Sequence, residues 1–446
     1  MTETAKNNFD AKKWYLSNFE LFENSLNGIA NSPFHVLRKE AIAKFSDLGF
    51  PTTRQEEWKY TSVAPILEHK FKLNSKQPSL QQTVPEHLLF KGLEQDLIVF
   101  VNGQYSEKLS TISSNTPGLT IDSLKNAFFT HNTLVEKYLG QIANFEKEAF
   151  VALNTAFTLD GVFLHVAKNT LLERPIHILY LSTAGEEASV NYPRNLFIAE
   201  SGSEVKIVES YHHLSDSPYF NNVVTEIVLQ ENSKMNHIKL QEESEKSFHV
   251  AHTKVNQEYS SVLTSVNIDL GGVLVRNSLN ILLNAENCES NMYGFYFGRG
   301  RQHIDNHTFI DHAMPHCYSN ELYKGVLNGK AHAVFNGKIL VRPDAQKTNA
   351  LQSNKTLLLT NDAAINAKPQ LEIFADDVKC THGATIGQLD DEALFYLRTR
   401  GISNEVAGAM LRFAFAADVF EKIELESVRN KLNEELLERL QIVEGN

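Results

Sequence analysis

Apolar and polar residues follow three different patterns along this chain, and the first of them is helical. Over 34–48 apolar side chains recur at helical spacing, and Gly49 marks the end of that segment. A short strand is predicted over 97–101, and a second helical run spans 123–157. The first 150 residues are therefore predicted to form a mainly helical N-terminal domain.

From about Gly161 the pattern changes to short segments rich in Val, Ile, Thr, Phe and Tyr, separated by Asn, Gly, Ser and Asp. Consecutive segments begin 13 to 15 residues apart, at Val266, Leu279, Met292, His307, Leu322 and Phe335. This regular spacing without helices favours a parallel β-helix, in which each strand stacks on its counterpart one turn later. An antiparallel sandwich is the alternative. In a β-helix we expect inward positions to bury Leu, Val and Phe, and outward positions to carry polar residues.

The chain from residue 388 onwards is predicted to be helical. Asp390 favours a helix start, Gly401 suits a left-handed cap, and a second helix is expected over 403–420. A third helix places four apolar residues on one stripe: Val428, Leu432, Leu436 and Leu440. These helices would cover the β-helix or dock another protein. The predicted domains are 1–150, 151–387 and 388–446.

Composition narrows the classes of function. The 42 basic and 54 acidic side chains give a net charge of −12, which argues against a nucleic-acid groove, because phosphate backbones require a basic face. No stretch approaches the roughly 18 consecutive apolar residues of a membrane span, and the N-terminal segment lacks the apolar core of a signal peptide. The three cysteines, Cys288, Cys317 and Cys380, are too scattered for a disulfide framework. They predict a reducing, cytoplasmic location.

Enzyme motifs are scarce. The chain has no GxxxxGKS/T phosphate loop, no GxSxG elbow and no HExxH helix, so it is not expected to hydrolyse nucleotides itself. His303, His307, His312 and His316 fall within fourteen residues, beside Asp305, Asp311 and Cys317, and imidazole, carboxylate and thiolate together could hold iron or zinc. Because neighbouring residues alternate between the two faces of a strand, a polar surface or an interface lining is the favoured interpretation.

A second candidate site lies at the end of the strand region, in the segment Cys380-Thr-His-Gly-Ala-Thr-Ile-Gly. The period of two along a strand places Cys380 and His382 on the same face, roughly 7 Å apart. Two such side chains are close enough to share a sulfur or iron ligand with a partner chain. An ordinary buried core cysteine is the competing interpretation of Cys380.

Four segments of the chain resemble the SufB/SufD family, and together they cover essentially its whole length. The longest is the C-terminal stretch 379–402, which begins KCTHGATIGQLDDEALFYLR. The others are RQEEWKYT at 54–61, LNTAFTLDG at 153–161, and His307-Thr together with YKGVL at 323–327. SufB members carry a cysteine group in the N-terminal half, whereas the first cysteine here is Cys288, so the SufD members are the better match.

The resemblance implies a mainly β protein with a right-handed parallel β-helix core and flanking N-terminal and C-terminal α-helical domains. It implies a complex with a SufB-like subunit and two copies of a SufC-like ATPase that dock on the C-terminal helices. In that complex iron–sulfur clusters are built from persulfide sulfur and iron. The isolated chain is expected to bind no cofactor stably and to form a homodimer, and the resemblance leaves open a flavin in the complex.

The resemblance also assigns candidate residues. Cys380 and His382 match the family motif at the SufB–SufD interface, and His382 is the first candidate, because a neutral imidazole is a competent iron ligand. A hydrogen bond across the interface is the competing role for His382. Leu411 and Phe415 are expected to be exposed and to mediate docking of the ATPase. Trp58 and Tyr60 are expected to serve packing.

Two other functions remain as alternatives. One is a SufB-like scaffold that holds the cluster without a SufD partner. The other is a secreted β-helix enzyme acting on polysaccharide, which would have a signal peptide and an acidic cleft. Asp305 and Asp311 are the residues that would serve such a cleft.

Overall fold

The computed structural model describes residues 3–26, 33–73, 83–112, 116–183 and 187–442. Helices lie at both ends of the chain, outside the main run of strands. The helices are α1 (Glu3–Ser25), α2 (Pro33–Leu48), α3 (Ala64–Leu67), α4 (Leu124–Thr130), α5 (Asn132–Tyr138), α6 (Ala149–Phe157), α7 (Asp391–Thr399), α8 (Asn404–Phe420) and α9 (Glu426–Ile442).

The strands are short at first and become regular after residue 203. The early strands are β1 (Lys72–Leu73), β2 (Asp96–Val101), β3 (Gln104–Tyr105), β4 (Leu119–Ser123), β5 (Val162–Val166), β6 (Ile176–Ser182), β7 (Ser189–Asn191) and β8 (Arg194–Ala199). The later strands are β9 (Glu204–His213), β10 (Tyr219–Leu229), β11 (Lys234–Glu242), β12 (Phe248–Gln257), β13 (Val262–Asp269), β14 (Leu274–Leu283), β15 (Glu289–Gly298), β16 (His303–His312), β17 (Tyr318–Leu327), β18 (His332–Val341), β19 (Asn349–Leu358), β20 (Ala364–Ile373) and β21 (Lys379–Gly387).

The strands form a parallel β-helix with two strands in each turn. Even-numbered strands from β8 to β20 pair in parallel in one sheet, here called sheet A, and odd-numbered strands from β9 to β21 pair in parallel in the other, sheet B. β5 and β6 extend the two sheets at the N-terminal end. The predicted fold class is confirmed, and the 13-to-15-residue spacing in the sequence is the step from one sheet to the other.

One corner of each turn is built in the same way. Two positions before each odd-numbered strand from β9 to β19, the backbone is left-handed, and these residues recur every 27 to 31 positions: Gly202, Asn232, Ser260, Asn287, His316 and Lys347. The next residue is small and buried, and its side chain commonly donates back to the carbonyl three positions earlier. The Ser261 hydroxyl donates to Glu258 O at 2.7 Å, and the Cys288 thiol donates to Ala285 O at 3.2 Å. The corner chemistry therefore explains Cys288 without any reactive role.

The interior of the β-helix is mainly apolar, but several inward positions of both sheets are polar, among them Asn277 and His312 of sheet A. Ile207, Met235 and Leu263 are buried there as predicted. However, the same inward face also buries ionisable side chains: Glu209, His237, Lys239, Asp269 and Glu321. Glu209 accepts from His237 at 2.8 Å, which satisfies both groups away from water. Inward positions therefore bury apolar residues as expected, but several of them, in both sheets, bury polar side chains instead.

Helices cover the outer faces of both sheets. The N-terminal helices bury Tyr15, Phe45 and Phe150 in one cluster with Phe220 and Phe248 of sheet A. The C-terminal helices cover sheet B, because the whole α9 stripe is buried there: Val428, Leu432, Leu436 and Leu440. The α9 stripe therefore packs on its own β-helix and is not free to dock another protein.

Two details of the N-terminal region differ from prediction. The helical run expected over 123–157 is divided into α4, α5 and α6. The strand expected at 97–101 is present as β2, but it pairs in parallel with β6 and so continues sheet B. β2 is buried on both faces. Phe100 packs into the β-helix core, and Leu97 on the opposite face packs against the 88–109 segment. Helix α2 ends at Leu48, and Gly49 has a φ of 63°, as predicted.

Candidate functional site

The last turn of the β-helix is open on one side. β20 pairs with β18 and β21 pairs with β19, and within the described residues neither strand has a partner on its other edge. Apolar side chains are exposed in this turn, notably Phe374 at 62% and Ile386 at 48%. An unpaired sheet edge with exposed apolar side chains is a surface suited to adding another chain.

Cys380 and His382 lie in β21 on the inward face of this last turn. Their register partners on β19 are Ala350 and Gln352, which are both buried inside the β-helix. Cys380 packs against the apolar core and is half-buried, and burial raises the pKa of its thiol. His382 is exposed, because no further turn covers it. The two residues thus share a face, as predicted, at the rim of the open end.

Beneath His382 a column of polar side chains continues into the protein. Glu321, Gln352 and His382 occupy the same register position on β17, β19 and β21. Gln352 Nε2 donates to Glu321 Oε2 at 2.8 Å, and Thr308 Oγ1 donates to Glu321 Oε1 at 2.6 Å. Burial raises the pKa of Glu321 to about 7, against the opposing effect of these two donors.

Sequence reasoning missed this column. The signal that could have found it is the alternation on β19, where Gln352, Asn354 and Thr356 stand at inward positions that normally hold apolar residues. Polar residues at period-two positions on a buried face need partners inside the protein. Asn354 Nδ2, for example, donates to the Tyr296 hydroxyl at 3.2 Å.

The four clustered histidines do not converge. His303 and His307 face outward from β16, His312 faces inward and shares a 2.9 Å hydrogen bond with Ser319, and His316 is a corner residue with a φ of 61°. Among the described residues there is no group of three His, Cys, Asp or Glu side chains arranged to hold a metal ion. The described residues therefore give no support to a metal site built from the four clustered histidines.

His303 and His307 instead anchor the N-terminal segment that resembles the family motif. Thr61 Oγ1 lies 2.8 Å from His303 Nε2 and donates to Asp305 Oδ2 at 2.5 Å, and His307 Nε2 lies 2.9 Å from Asp305 Oδ1. Burial alone would raise the pKa of Asp305, but the adjacent Arg276 and His307 lower it well below its ordinary value. Asp305 is therefore a buried anion with a structural role, and it does not line an exposed acidic cleft of the kind a polysaccharide enzyme would need.

Trp58 belongs to the same contact. It is buried, and the Arg276 guanidinium lies 3.8 Å from its ring centroid. Asp311, the other acidic residue considered for a cleft, forms a bidentate ion pair with Arg342, with contacts of 2.9 and 2.7 Å. Trp58 thus serves packing, as expected, whereas Tyr60 is exposed at 38%, and the two aspartates form ion pairs.

The two predicted docking residues on α8 are less exposed than expected. Leu411 and Phe415 are both half-buried. The Phe415 ring packs over Lys324 Nζ at 4.6 Å, and the same ammonium donates to Phe415 O at 2.8 Å. The expectation that these side chains would be exposed was wrong, because α8 turns this side towards β17.

Other apolar residues of the C-terminal helices are exposed. On α7 these are Phe395 at 67% and Tyr396 at 57%, and on α8 they are Val406 and Met410. The exposed apolar surface of α7 and α8 is defined here by these four side chains. A surface of this kind is typical of a contact site for another protein.

No helix in the described ranges is both long and apolar enough to cross a lipid bilayer.

Comparison with known protein families gives two matches that follow each other along the chain. A family described as the SufBD protein N-terminal region matches residues 9–178. A family described as the SUF system FeS cluster assembly SufBD core domain matches residues 180–415. The two matches therefore include the N-terminal helices, the β-helix, the last turn with Cys380 and His382, and most of α8.

Individual relatives agree over nearly the full length. The chain is 35% identical to an iron-sulfur cluster assembly SufBD family protein of Synechocystis, with 89% of each chain covered. It is 31% identical to the iron-sulfur cluster assembly protein SufD of Escherichia coli, covering 88% of this chain and 90% of the relative. It is 34% identical to the chloroplastic protein ABCI7 of Arabidopsis thaliana, covering 92% and 88%. On these matches, the chain belongs to the SufB/SufD family of iron–sulfur cluster assembly proteins.

Proposed function

We propose that this chain is a SufD-type scaffold subunit of a cytoplasmic iron–sulfur cluster assembly complex, without catalytic activity of its own. The observation that carries the proposal is the open last turn of the β-helix, where an exposed imidazole and a half-buried thiol stand side by side. The membership of the SufB/SufD family and the likeness to the SufD protein of Escherichia coli support this assignment.

The proposed contact with a SufB-like subunit uses the open last turn. The free edges of β20 and β21 offer backbone donors and acceptors, and Phe374 and Ile386 offer apolar surface. A second β-helix that pairs with these edges would satisfy the backbone groups and bury the apolar side chains. In the absence of SufB, a second copy of this chain is proposed to occupy the same edge, which gives a homodimer.

Within this contact, His382 and Cys380 are proposed to contribute ligands to iron or to a nascent iron–sulfur cluster. Two side chains do not complete a tetrahedral site, so the partner subunit has to supply the remaining ligands. The iron or cluster is cargo held transiently in the complex, and the isolated chain is proposed to hold none stably. A flavin, if the complex uses one, is proposed to bind in the assembled complex.

The C-terminal helices are proposed to dock a SufC-like ATPase. The exposed apolar surface of α7 and α8 supports this proposal, with Leu411 at its half-buried border. Phe415 is proposed to act indirectly, since its ring holds α8 against Lys324 of the β-helix. Nucleotide-driven movement of the ATPase would then reach the last turn through the rigid junction of helices and β-helix.

Copurification tests the proposal. The tagged chain is isolated from its own host, and the proteins that accompany it are identified by mass spectrometry. The expected result is a SufB-like subunit and a SufC-like ATPase, both retained when the exposed Phe129 of α4 is changed by Phe129→Lys. A double variant, Phe374→Lys with Ile386→Lys, is expected to lose the SufB-like subunit. Recovery of neither protein with the unmodified chain would contradict the proposal.

A further inference from the structure

The column beneath His382 contains one polar atom with no partner. Gln352 is 3% exposed, and within the described part of the chain its Oε1 atom accepts no hydrogen bond. Its Nε2 atom is committed to Glu321, because a carboxylate oxygen accepts from the amide nitrogen. A buried amide oxygen without a hydrogen-bond donor is energetically unfavourable, so it requires an explanation.

His382 is the residue placed to supply the missing donor. It is the register partner of Gln352 on the adjacent parallel strand, and such strands lie about 4.8 Å apart with in-register side chains on the same face. Gln352 Oε1 accepts no bond from His382 in the structure, so the bond requires the exposed imidazole to turn towards it. A neutral imidazole carries one N–H donor and one free nitrogen lone pair.

A glycine makes room for the Gln352 amide. Gly337, on the facing strand β18, points its Cα hydrogens at this side chain, and a Cβ atom at position 337 would lie 2.3 Å from Gln352 Nε2. The amide therefore crosses the interior in a space that any larger residue at position 337 would close. The absence of a side chain at position 337 therefore leaves the space that the Gln352 amide occupies.

We infer that Gln352 and Glu321 are positioning residues for His382, in a chain of hydrogen bonds from the His382 ring N–H to Gln352 Oε1 and from Gln352 Nε2 to Glu321. The inference rests on the proposed function of His382 as a ligand. The bond to Gln352 selects the tautomer of the ring and turns its second nitrogen, with its lone pair, towards the open end. Histidines that bind metals commonly donate their other ring N–H to such a partner.

The inference can be tested on the isolated chain, without iron. The readout is the NMR signal of the His382 ring N–H in protein labelled with ¹⁵N-histidine, assigned by its loss in His382→Ala. The expected result is a ring N–H signal protected from exchange with water in the unmodified chain. Gln352→Met keeps the side-chain length but removes the acceptor, and it is expected to abolish the protection. A signal equally protected in Gln352→Met would overturn the inference.

Two further variants separate positioning from mere packing. The exchanged pair Glu321→Gln with Gln352→Glu keeps every hydrogen bond of the chain. The carboxylate now at position 352 accepts from the His382 imidazole and from the amide nitrogen now at position 321. The amide oxygen at position 321 still accepts from the Thr308 hydroxyl. This pair is expected to keep the protected signal. Gly337→Ala alters no polar group but displaces the Gln352 amide, and it is expected to lose the signal as Gln352→Met does.

The same variants are then measured in the complex coexpressed with its partner subunits. Iron affinity is expected to fall about 10- to 100-fold in Gln352→Met and to recover in the exchanged pair. If Gln352→Met binds iron normally while His382→Ala does not, the positioning role is wrong and the proposed function stands. If His382→Ala binds iron normally, the proposed function fails, and the NMR result alone decides whether the hydrogen bond exists.

Discussion

His382 and Gln352 occupy the same register position on adjacent strands, yet one is exposed and the other is buried. The difference arises because β21 is the last strand of sheet B, so its inward face has no further turn above it. The interior of the β-helix thus continues directly into the open end. At this end of the β-helix, the buried side chains of Gln352 and Glu321 lie next to His382, and His382 itself is accessible to a partner chain.

The exposed apolar surface of α7 and α8 leads to a prediction about ATPase docking. Met410→Asp and Phe395→Asp are expected to abolish copurification of a SufC-like ATPase, since each buries a charge in the proposed contact. Both side chains are exposed in the free chain, so its thermal unfolding midpoint is expected to stay within a few degrees of the unmodified value. Retention of the ATPase by both variants would contradict docking at this surface.

The Glu226 carboxylate holds the N-terminal helices on sheet A, and its removal is expected to destabilise the protein strongly. It accepts from the backbone N–H groups of Gly140, Ile142 and Ala143 at 2.8 to 3.1 Å and from the Arg194 guanidinium at 2.6 Å. Both charged side chains are fully buried. Glu226→Gln leaves the cation unpaired, at a cost of about 3–5 kcal/mol, which urea unfolding would measure.

An exposed ion pair provides the control for Glu226. Lys72 Nζ lies 2.7 Å from Glu187 Oε1, and both side chains are mostly in contact with solvent. Glu187→Gln is expected to change stability by less than about 1 kcal/mol, because water screens the pair. Equal effects of Glu226→Gln and Glu187→Gln would show that the buried pair does not anchor the N-terminal helices.

Buried histidines predict a loss of stability in acid. Burial lowers the pKa of His312 from its ordinary 6.5 to about 4. Below pH 6.5 the unfolded chain therefore binds a proton that the folded chain does not, so stability falls as the pH drops from 6.5 to 4. The loss from this one group approaches about 3 kcal/mol at pH 4. Above pH 6.5 both states are neutral at this position, and its contribution is constant.

Substitution of His312 tests this pH dependence. His312→Gln is expected to reduce the difference in unfolding free energy between pH 7 and pH 4 relative to the unmodified chain. Gln can still share a hydrogen bond with Ser319, so the comparison isolates the titration. An unchanged pH dependence in His312→Gln would show that the imidazole is protonated inside the fold.

Much of the fold could be predicted from the sequence because its signals are periodic. The spacing of the apolar segments from Val266 to Phe335 is the step between the two sheets of the β-helix, and Gly401 ends α7 with a φ of 86°. The interior polar residues could not be predicted in the same way. Glu209 and His237 are buried as a pair, and the sequence does not show that residues 28 positions apart become neighbours.

The candidate site could be predicted only in part. The spacing of Cys380 and His382 is local, so their common face follows from strand geometry alone. The support from Gln352 and Glu321 depends on stacking across turns about 30 residues long, which requires the register of the strands. The half-burial of Phe415 depends likewise on Lys324, a residue of the β-helix distant in sequence.

The iron content of the complex coexpressed with its partner subunits directly tests the proposed role of His382 as a ligand. His382→Ala is compared with His87→Ala, a substitution of an exposed histidine far from the last turn in sequence. The His382→Ala complex is expected to contain several-fold less iron and sulfide, the His87→Ala complex is expected to keep its content, and both are expected to keep the same subunits. Normal iron and sulfide loading of an intact His382→Ala complex would contradict the assignment of His382 as a ligand.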